Sequence, residues 1–374
     1  MKKGHLLLAG TLIAAGLACA SAPATLPLPS ADSVFDAGRT AYGFFPSPPQ
    51  PTHQSVLDTF QAMGEHGDVV LIQPNIPWAE FIDGGEGESQ TITDIRNQVI
   101  LARQNELEAV VVIDPLNGLN RREFFGLPAD LADADFATPE IRQAFRHFTL
   151  RVLREIQPRY LGLASEINTY ADAHPGDFAN FLGLYRETYA AIKAEAPATL
   201  VFATFQWEDL NNLFPGSSEG RQAYAINWDQ VEAFEPDLDL WVISSYPFVA
   251  FPSADEIPDD YYTPLLTRTD KPLAVGEGGF TSRPIGPFRG APKDQVGYLT
   301  ALHDQIGKRL AFWIYLLLSD FDPEEYAATM RDQGRGQVDI DTLGMFAAVG
   351  LRESDGTPKA ALAVWDAYRG GRAP

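Results

Sequence analysis

Two short stretches decide how this chain folds: Tyr160-Leu161-Gly162-Leu163-Ala164-Ser165-Glu166 and Pro272-Leu273-Ala274-Val275-Gly276-Glu277. Each is a run of apolar or small residues that ends abruptly on a glutamate. Runs of this length read as strands buried on both faces, the kind found in parallel sheets. A carboxylate placed directly after such a strand is costly unless it is paired or used.

Working outward, six more strand candidates alternate with helical stretches: 40–45, 68–73, 109–114, 200–205, 238–245 and 310–317. The clearest helix follows Thr138 as N-cap, with Pro139 at its first position and an apolar stripe of Ile141, Phe145, Phe148, Val152 and Ile156. A second, over about 177–195, carries Phe178, Phe181, Leu182, Tyr185, Tyr189 and Ile192 at similar spacing, a pattern that reads as core. Eight strands in strict alternation with helices predict an α/β fold, a single (β/α)8 TIM barrel over 36–370. A doubly wound nucleotide-binding fold is the runner-up. It lacks both the G-x-G-x-x-G fingerprint and a phosphate-binding loop.

In such a barrel the chemistry lies where strands end at their C-terminal side. The second strand exits into Asn75 and Trp78, the third into Asp114, and the fourth into Ser165, Glu166 and Asn168. The fifth exits into Trp207, the sixth into Tyr246 and the seventh into Glu277, and the eighth carries Trp313. Carboxylates, amides and aromatic rings together are the lining a carbohydrate cleft needs, since rings stack on sugars and polar groups satisfy hydroxyls. Retaining glycoside hydrolysis requires two carboxyl groups about 5 Å apart, one protonated and one ionised. Mutual repulsion predicts that one of Glu166 and Glu277 keeps its proton longer while the other ionises. For either glutamate the structural alternative is an ion pair with Arg or Lys at the barrel top.

The segments Leu163-Ala164-Ser165-Glu166-Ile167-Asn168, 240–248 and 273–280 resemble those of clan A retaining glycoside hydrolases, and among these the endo-β-1,4-galactanases. The 181–205 region and the ending 350–359 share the likeness. The resemblance implies Glu166 as acid/base, Glu277 as nucleophile, Tyr246 as a hydrogen-bond donor to that nucleophile, and Trp313 beneath the cleaved sugar. It also implies an Asn immediately before the acid/base, holding the sugar 2-hydroxyl. Here Ser165 stands in that place. Its reach is shorter, so a water bridges the gap, Asn168 helps from the loop, or substrate and activity differ from the family.

Composition narrows the alternatives. With 45% hydrophobic and 21% charged residues the chain can bury a large core, and a net charge of -22 argues against a nucleic-acid partner. The six histidines form no metal-ligand motif, so neither metal nor cofactor is expected; His174, in the loop after the fourth strand, is the one to watch. No G-x-S-x-G elbow supports a serine hydrolase. The strongest competitor is a non-catalytic, envelope-tethered carbohydrate-binding barrel, which Ser165 favours. A carbohydrate is the expected partner and a monomer the expected state.

Lys2, Lys3 and the apolar run Leu6–Ala18 mark residues 1–20 as an export signal. Cys19, the only cysteine, follows Gly16, Leu17 and Ala18 in a context that fits bacterial lipidation; a plain cut after Ala20 or Ala22 is the alternative. Residues 21–35 read as a flexible tether. The expected location is the cell envelope, at the outer membrane if Cys19 is lipidated and periplasmic or secreted if it is not, with membrane contact only through the anchor.

Overall fold

The computed structural model describes residues 33–214, 220–332 and 335–372. The expected export signal, Cys19 and all of the tether but its last three residues lie outside the described residues. No helix among the described residues is long and apolar enough to cross a membrane.

Eight parallel strands form the barrel. They are β1 (Ala41–Phe44), β2 (Val69–Ile72), β3 (Glu108–Val112), β4 (Tyr160–Gly162), β5 in two halves (Leu200–Phe202 and Thr204–Gln206), β6 (Trp241–Ser245), β7 (Leu273–Gly278) and β8 (Leu310–Tyr315). The hydrogen-bonded order runs from the first half of β5 through β4, β3, β2, β1, β8, β7 and β6 to the second half of β5. One strand therefore closes the ring: before Ala203 it pairs with β4, and after it with β6. Closure leaves no free sheet edge. It also hands the Thr204 side chain to the space between β4 and β6, where the chemistry gathers.

The sequence pattern maps onto this frame with shifts at the strand ends: β4 stops at Gly162, three residues short of Ser165, and β3 and β8 each end two residues early. β6 begins three residues later than expected, because Leu238 and Leu240 lead in as buried coil while Asp239 bonds back to Val201. β7 runs past Gly276 to include Glu277 and Gly278, because a bulge lets the strand continue pairing. The helices fall where periodicity put them, at Pro139–Ile156 and Pro175–Glu195. Ile141, Phe145, Phe148, Val152 and Ile156 are all buried against the barrel wall. Inside the ring, Phe312 of β8 meets Tyr160 of β4 and Phe202 of β5 at ring distances of 5.1 and 6.0 Å, filling the barrel base.

After β8 the chain loops over the barrel top and returns as a segment locked from beneath. Lys359 Nζ, buried, donates to Asp320 Oδ2 (2.7 Å), Ser282 Oγ (2.9 Å) and the Gly350 carbonyl (2.9 Å). It ties the exits of β7 and β8 to the C-terminal helix Ala360–Arg369. Burial pushes the Asp320 carboxyl up to about 6 despite the ammonium beside it. Removing one partner of a buried pair leaves the other charge uncompensated, so Lys359→Ala should lower stability by about 3–5 kcal/mol, read by urea unfolding. Replacing both groups, as Lys359→Met with Asp320→Leu, should recover most of that loss.

Candidate active site

Two local backbone devices place the glutamates. In β7, Val275 pairs with Ile243 and Glu277 with Ser244, so Gly276 is an extra residue bulged out of register. Bulges re-aim the side chains beside them. Glycine keeps this bulge uncrowded, since a Cβ would lie 3.0 Å from Val242 Cγ1 and 3.2 Å from Thr204 Cγ2, tight contacts from which those side chains would have to give way. Glu166 follows β4 in the left-handed region, with φ 50° and ψ 41°, a conformation that costs about 1–3 kcal/mol for a residue with a side chain. Thr204 Oγ1 holds it there by accepting from the Glu166 amide at 2.8 Å. Local strain at a barrel exit marks a residue whose direction matters more than its comfort.

Between the two carboxylates lies a guanidinium. Arg121 belongs to a hairpin that follows β3, formed by Leu116–Asn117 and Asn120–Phe124. Its Nε donates to Glu166 Oε2 (3.1 Å), its Nη1 is paired with Asp114 Oδ2, and its Nη2 donates to Ser165 Oγ (3.2 Å) and stands 3.7 Å from Glu277 Oε1. The remaining carboxylate oxygens are also engaged. Ser244 Oγ donates to Glu166 Oε1 (2.6 Å), Tyr246 Oη to Glu277 Oε2 (3.0 Å) and Ser165 Oγ to Glu277 Oε1 (3.1 Å). Although burial disfavours its charge, the three carboxylates hold the Arg121 proton more tightly than usual. Burial likewise pushes Asp114 upward against the pull of Arg121.

At Glu277 burial outweighs the nearby cation and, with the repulsion of Glu166, moves the carboxyl up to about 7. The bulge that aims Glu277 inward also removes it from water. A second buried carboxyl lies behind it. Glu208 is fully enclosed and accepts from Gln206 Nε2 (2.6 Å), Ser245 Oγ (2.7 Å), the Tyr246 amide (2.9 Å) and Tyr261 Oη (3.2 Å). With no cation among these partners, burial lifts it to about 7 as well.

The structure brings Asp114, Ser165, Glu166, Tyr246 and Glu277 together, and turns the other expected residues to different work. Trp313 is fully buried, packed on Tyr42, Trp365 and Tyr298 at 5.8, 5.4 and 6.4 Å. Side chains alternate along β8: Phe312 fills the barrel interior, so Trp313 faces the outer helices and cannot lie under a sugar. Trp207 is buried against Trp228, Tyr261 and Tyr262, and Trp78 is buried with its Nε1 donating to the Phe125 carbonyl. Asn75 braces the hairpin root through the Asp114 and Leu116 carbonyls. Asn168 clamps Gln206 and Asp209 and is fully buried, so it cannot help Ser165 from the loop. His174 bonds the Arg122 carbonyl and packs on the Tyr170 ring, and among the described residues no group of His, Cys, Asp and Glu could hold a metal.

Sequence reasoning missed Arg121, Thr204, Ser244 and Phe346. Phe346, half-buried in the segment after β8, packs 5.2 Å from the Tyr246 ring. One signal for Arg121 was present. Asn117-Gly118 signals a nearby turn, which the chain makes at Gly118 and Leu119 between the paired Asn117 and Asn120, and alternation past it sends Arg121 inward and Arg122 outward.

The raised carboxyls make stability depend on pH with a definite sign. A group whose folded value exceeds its unfolded one adds stability that is full below the unfolded value and lost as pH rises through the folded value. For Glu277 and Glu208 that window runs from the ordinary glutamate range to about 7. Melting temperature should therefore fall between pH 5 and pH 8. Glu208→Gln, which removes one of these groups, should flatten the slope; an unchanged slope would mean that Glu208 does not titrate in this range.

No family model matches the sequence, and no curated protein sequence matches it. Solved structures do resemble the fold. An exo-β-1,4-mannosidase from Opitutaceae bacterium strain TAV5 superposes with a TM-score of 0.64 at 13% identity, over 90% of this chain and 60% of that one. The chain thus spans about three fifths of that mannosidase. A GH5_18 variant from Bifidobacterium longum subsp. longum ATCC 55813, in complex with Manβ1-4GlcNAc, gives 0.61 at 13% identity over 89% and 78%. A rice β-glucosidase variant in a covalent complex with Glc gives 0.54 at 12% identity over 83% and 86%. These neighbours are clan A glycoside hydrolases. At such identities the likeness establishes the TIM-barrel fold.

Proposed function

We propose that the protein is a retaining hydrolase of β-linked glycosides, with Glu277 as nucleophile and Glu166 as acid/base. The observation that carries this reading is the convergence, at the C-terminal end of the barrel, of two glutamates from β4 and β7 around one guanidinium, with Tyr246 donating to Glu277. In the first step Glu277 would attack the anomeric carbon while the leaving oxygen takes a proton from Glu166. In the second, Glu166 would accept a proton from the water that releases the sugar. Tyr246 and Ser165 fix the Glu277 carboxylate for attack, each donating to a different oxygen. Each Glu166 oxygen accepts one bond, Oε1 from Ser244 and Oε2 from Arg121, and keeps a second lone pair for the proton that donation requires.

The ion pair that engages Glu166 with Arg121 favours a second reading, a barrel that holds glycan without cutting it. A screen of galactan, mannan, xylan and β-glucans with reducing ends measured separates the two. The hydrolase reading expects new reducing ends on at least one polymer, with the product first formed in the retained anomeric configuration by NMR. Glu277→Ala should abolish turnover, and Glu166→Ala should spare aryl glycosides whose leaving group needs little protonation. On such a substrate, wild-type turnover should rise with pH through about 7 as Glu277 ionises. Binding without any new reducing ends would replace this reading with the second.

A further inference from the structure

Arg121 is better equipped than its ion pairs require. A guanidinium carries five N–H groups. Nε serves Glu166, one on Nη1 serves Asp114 and one on Nη2 serves Ser165. Of the two protons that remain, one on each Nη, the one on Nη2 lies on the nitrogen that stands 3.7 Å from Glu277 Oε1, too far for a hydrogen bond. A charged donor in a site this enclosed, with a proton to spare beside the attacking carboxylate, is placed for a ligand atom.

The chemistry of the proposed reaction says which atom. When a sugar is joined through its anomeric carbon to Glu277, the adjoining ring carbon, C2, holds its hydroxyl close to the carboxylate and to whatever lines it. Hydrogen bonds to that hydroxyl strengthen as the oxocarbenium character grows. Ser165, the residue directly before Glu166, spends its one proton on Glu277 and accepts from Arg121. Its small side chain leaves the room that the guanidinium fills.

We infer that Arg121 Nη2 donates to the C2 hydroxyl of the sugar attacked by Glu277, which makes this hairpin arginine a specificity-determining residue of the site. The inference rests on the glycosidase reading above and deepens it. Arg121 accepts nothing, so it selects a C2 substituent that offers a lone pair and gives no advantage to a sugar with only hydrogen there.

The test compares kcat/KM for the 4-nitrophenyl β-glycoside that the wild type turns over fastest with that for its 2-deoxy counterpart. The comparison is made in wild type, Arg121→Lys and Arg121→Met. The advantage of the hydroxyl substrate over the deoxy one should fall at least tenfold in Arg121→Met and less in Arg121→Lys. A purely structural role would slow both substrates alike and leave that ratio unmoved. An unmoved ratio in both variants, with Glu277→Ala inactive, overturns the inference and leaves the hydrolase reading standing. If the wild type releases no nitrophenol, calorimetry of the free sugar and its 2-deoxy analogue replaces kinetics. The hydrolase reading then fails, and equal affinities, or no binding of either, overturn the inference as well. Should Arg121→Met fail to fold, the Lys variant alone decides by the same ratio.

Discussion

A single guanidinium balances three carboxylates at the mouth of the barrel, and much of the site's shape follows from that imbalance. Arg121 reaches Asp114, Glu166 and Glu277 from a hairpin that belongs to none of the strands carrying the two glutamates. Removing one charge from such a cluster leaves the rest uncompensated in a poorly solvated space. Asn75 and Gln73 brace the same corner, one through the backbone of Asp114 and the other through its carboxylate. The charge deficit that remains is met by hydroxyls: Ser165, Ser244 and Tyr246 each aim a proton at a glutamate oxygen.

The barrel supplies the directions. Splitting β5 at Ala203 lets one strand pair on both sides, and the same break presents Thr204 to the Glu166 amide. The bulge at Gly276 turns Glu277 inward, and Ser244 and Tyr246 leave β6 beside it on either side of Ser245, whose hydroxyl serves Glu208 instead. Alternation along β6 thus divides one short segment between the open site and the buried carboxyl behind it. The two layers communicate through Tyr246, whose amide bonds Glu208 and whose hydroxyl bonds Glu277.

The strands and both glutamates were legible because their signals are local: a short apolar run and an abrupt acid need only their own neighbours to be read. Glu277 and Glu166 therefore emerged together with the fold. What stayed hidden depends on facing. Trp207 and Trp78 follow strands in the sequence and Trp313 lies within one, yet each faces packed side chains, and along a strand a one-residue change of facing decides between a cleft and a core. Arg121 was hidden for the opposite reason. Asn120-Arg121-Arg122-Glu123 has the composition of a solvated loop, and only the hairpin fold-back buries the first arginine among acids 45 and 156 positions further on, at Glu166 and Glu277. The pH behaviour of Glu277 was equally out of reach, since burial behind a bulge leaves no mark in composition.

The claim on which this account stands is that Glu277 forms a covalent bond to sugar. Its most direct measurement is mass spectrometry of the protein after incubation with an activated 2-deoxy-2-fluoro β-glycoside, whose fluorine slows release of any glycosyl ester. The account predicts an added mass of one fluorosugar, located to the peptide containing Glu277 and absent from Glu277→Ala. Glycan cleavage without such an adduct, or an adduct on any other residue, would contradict it.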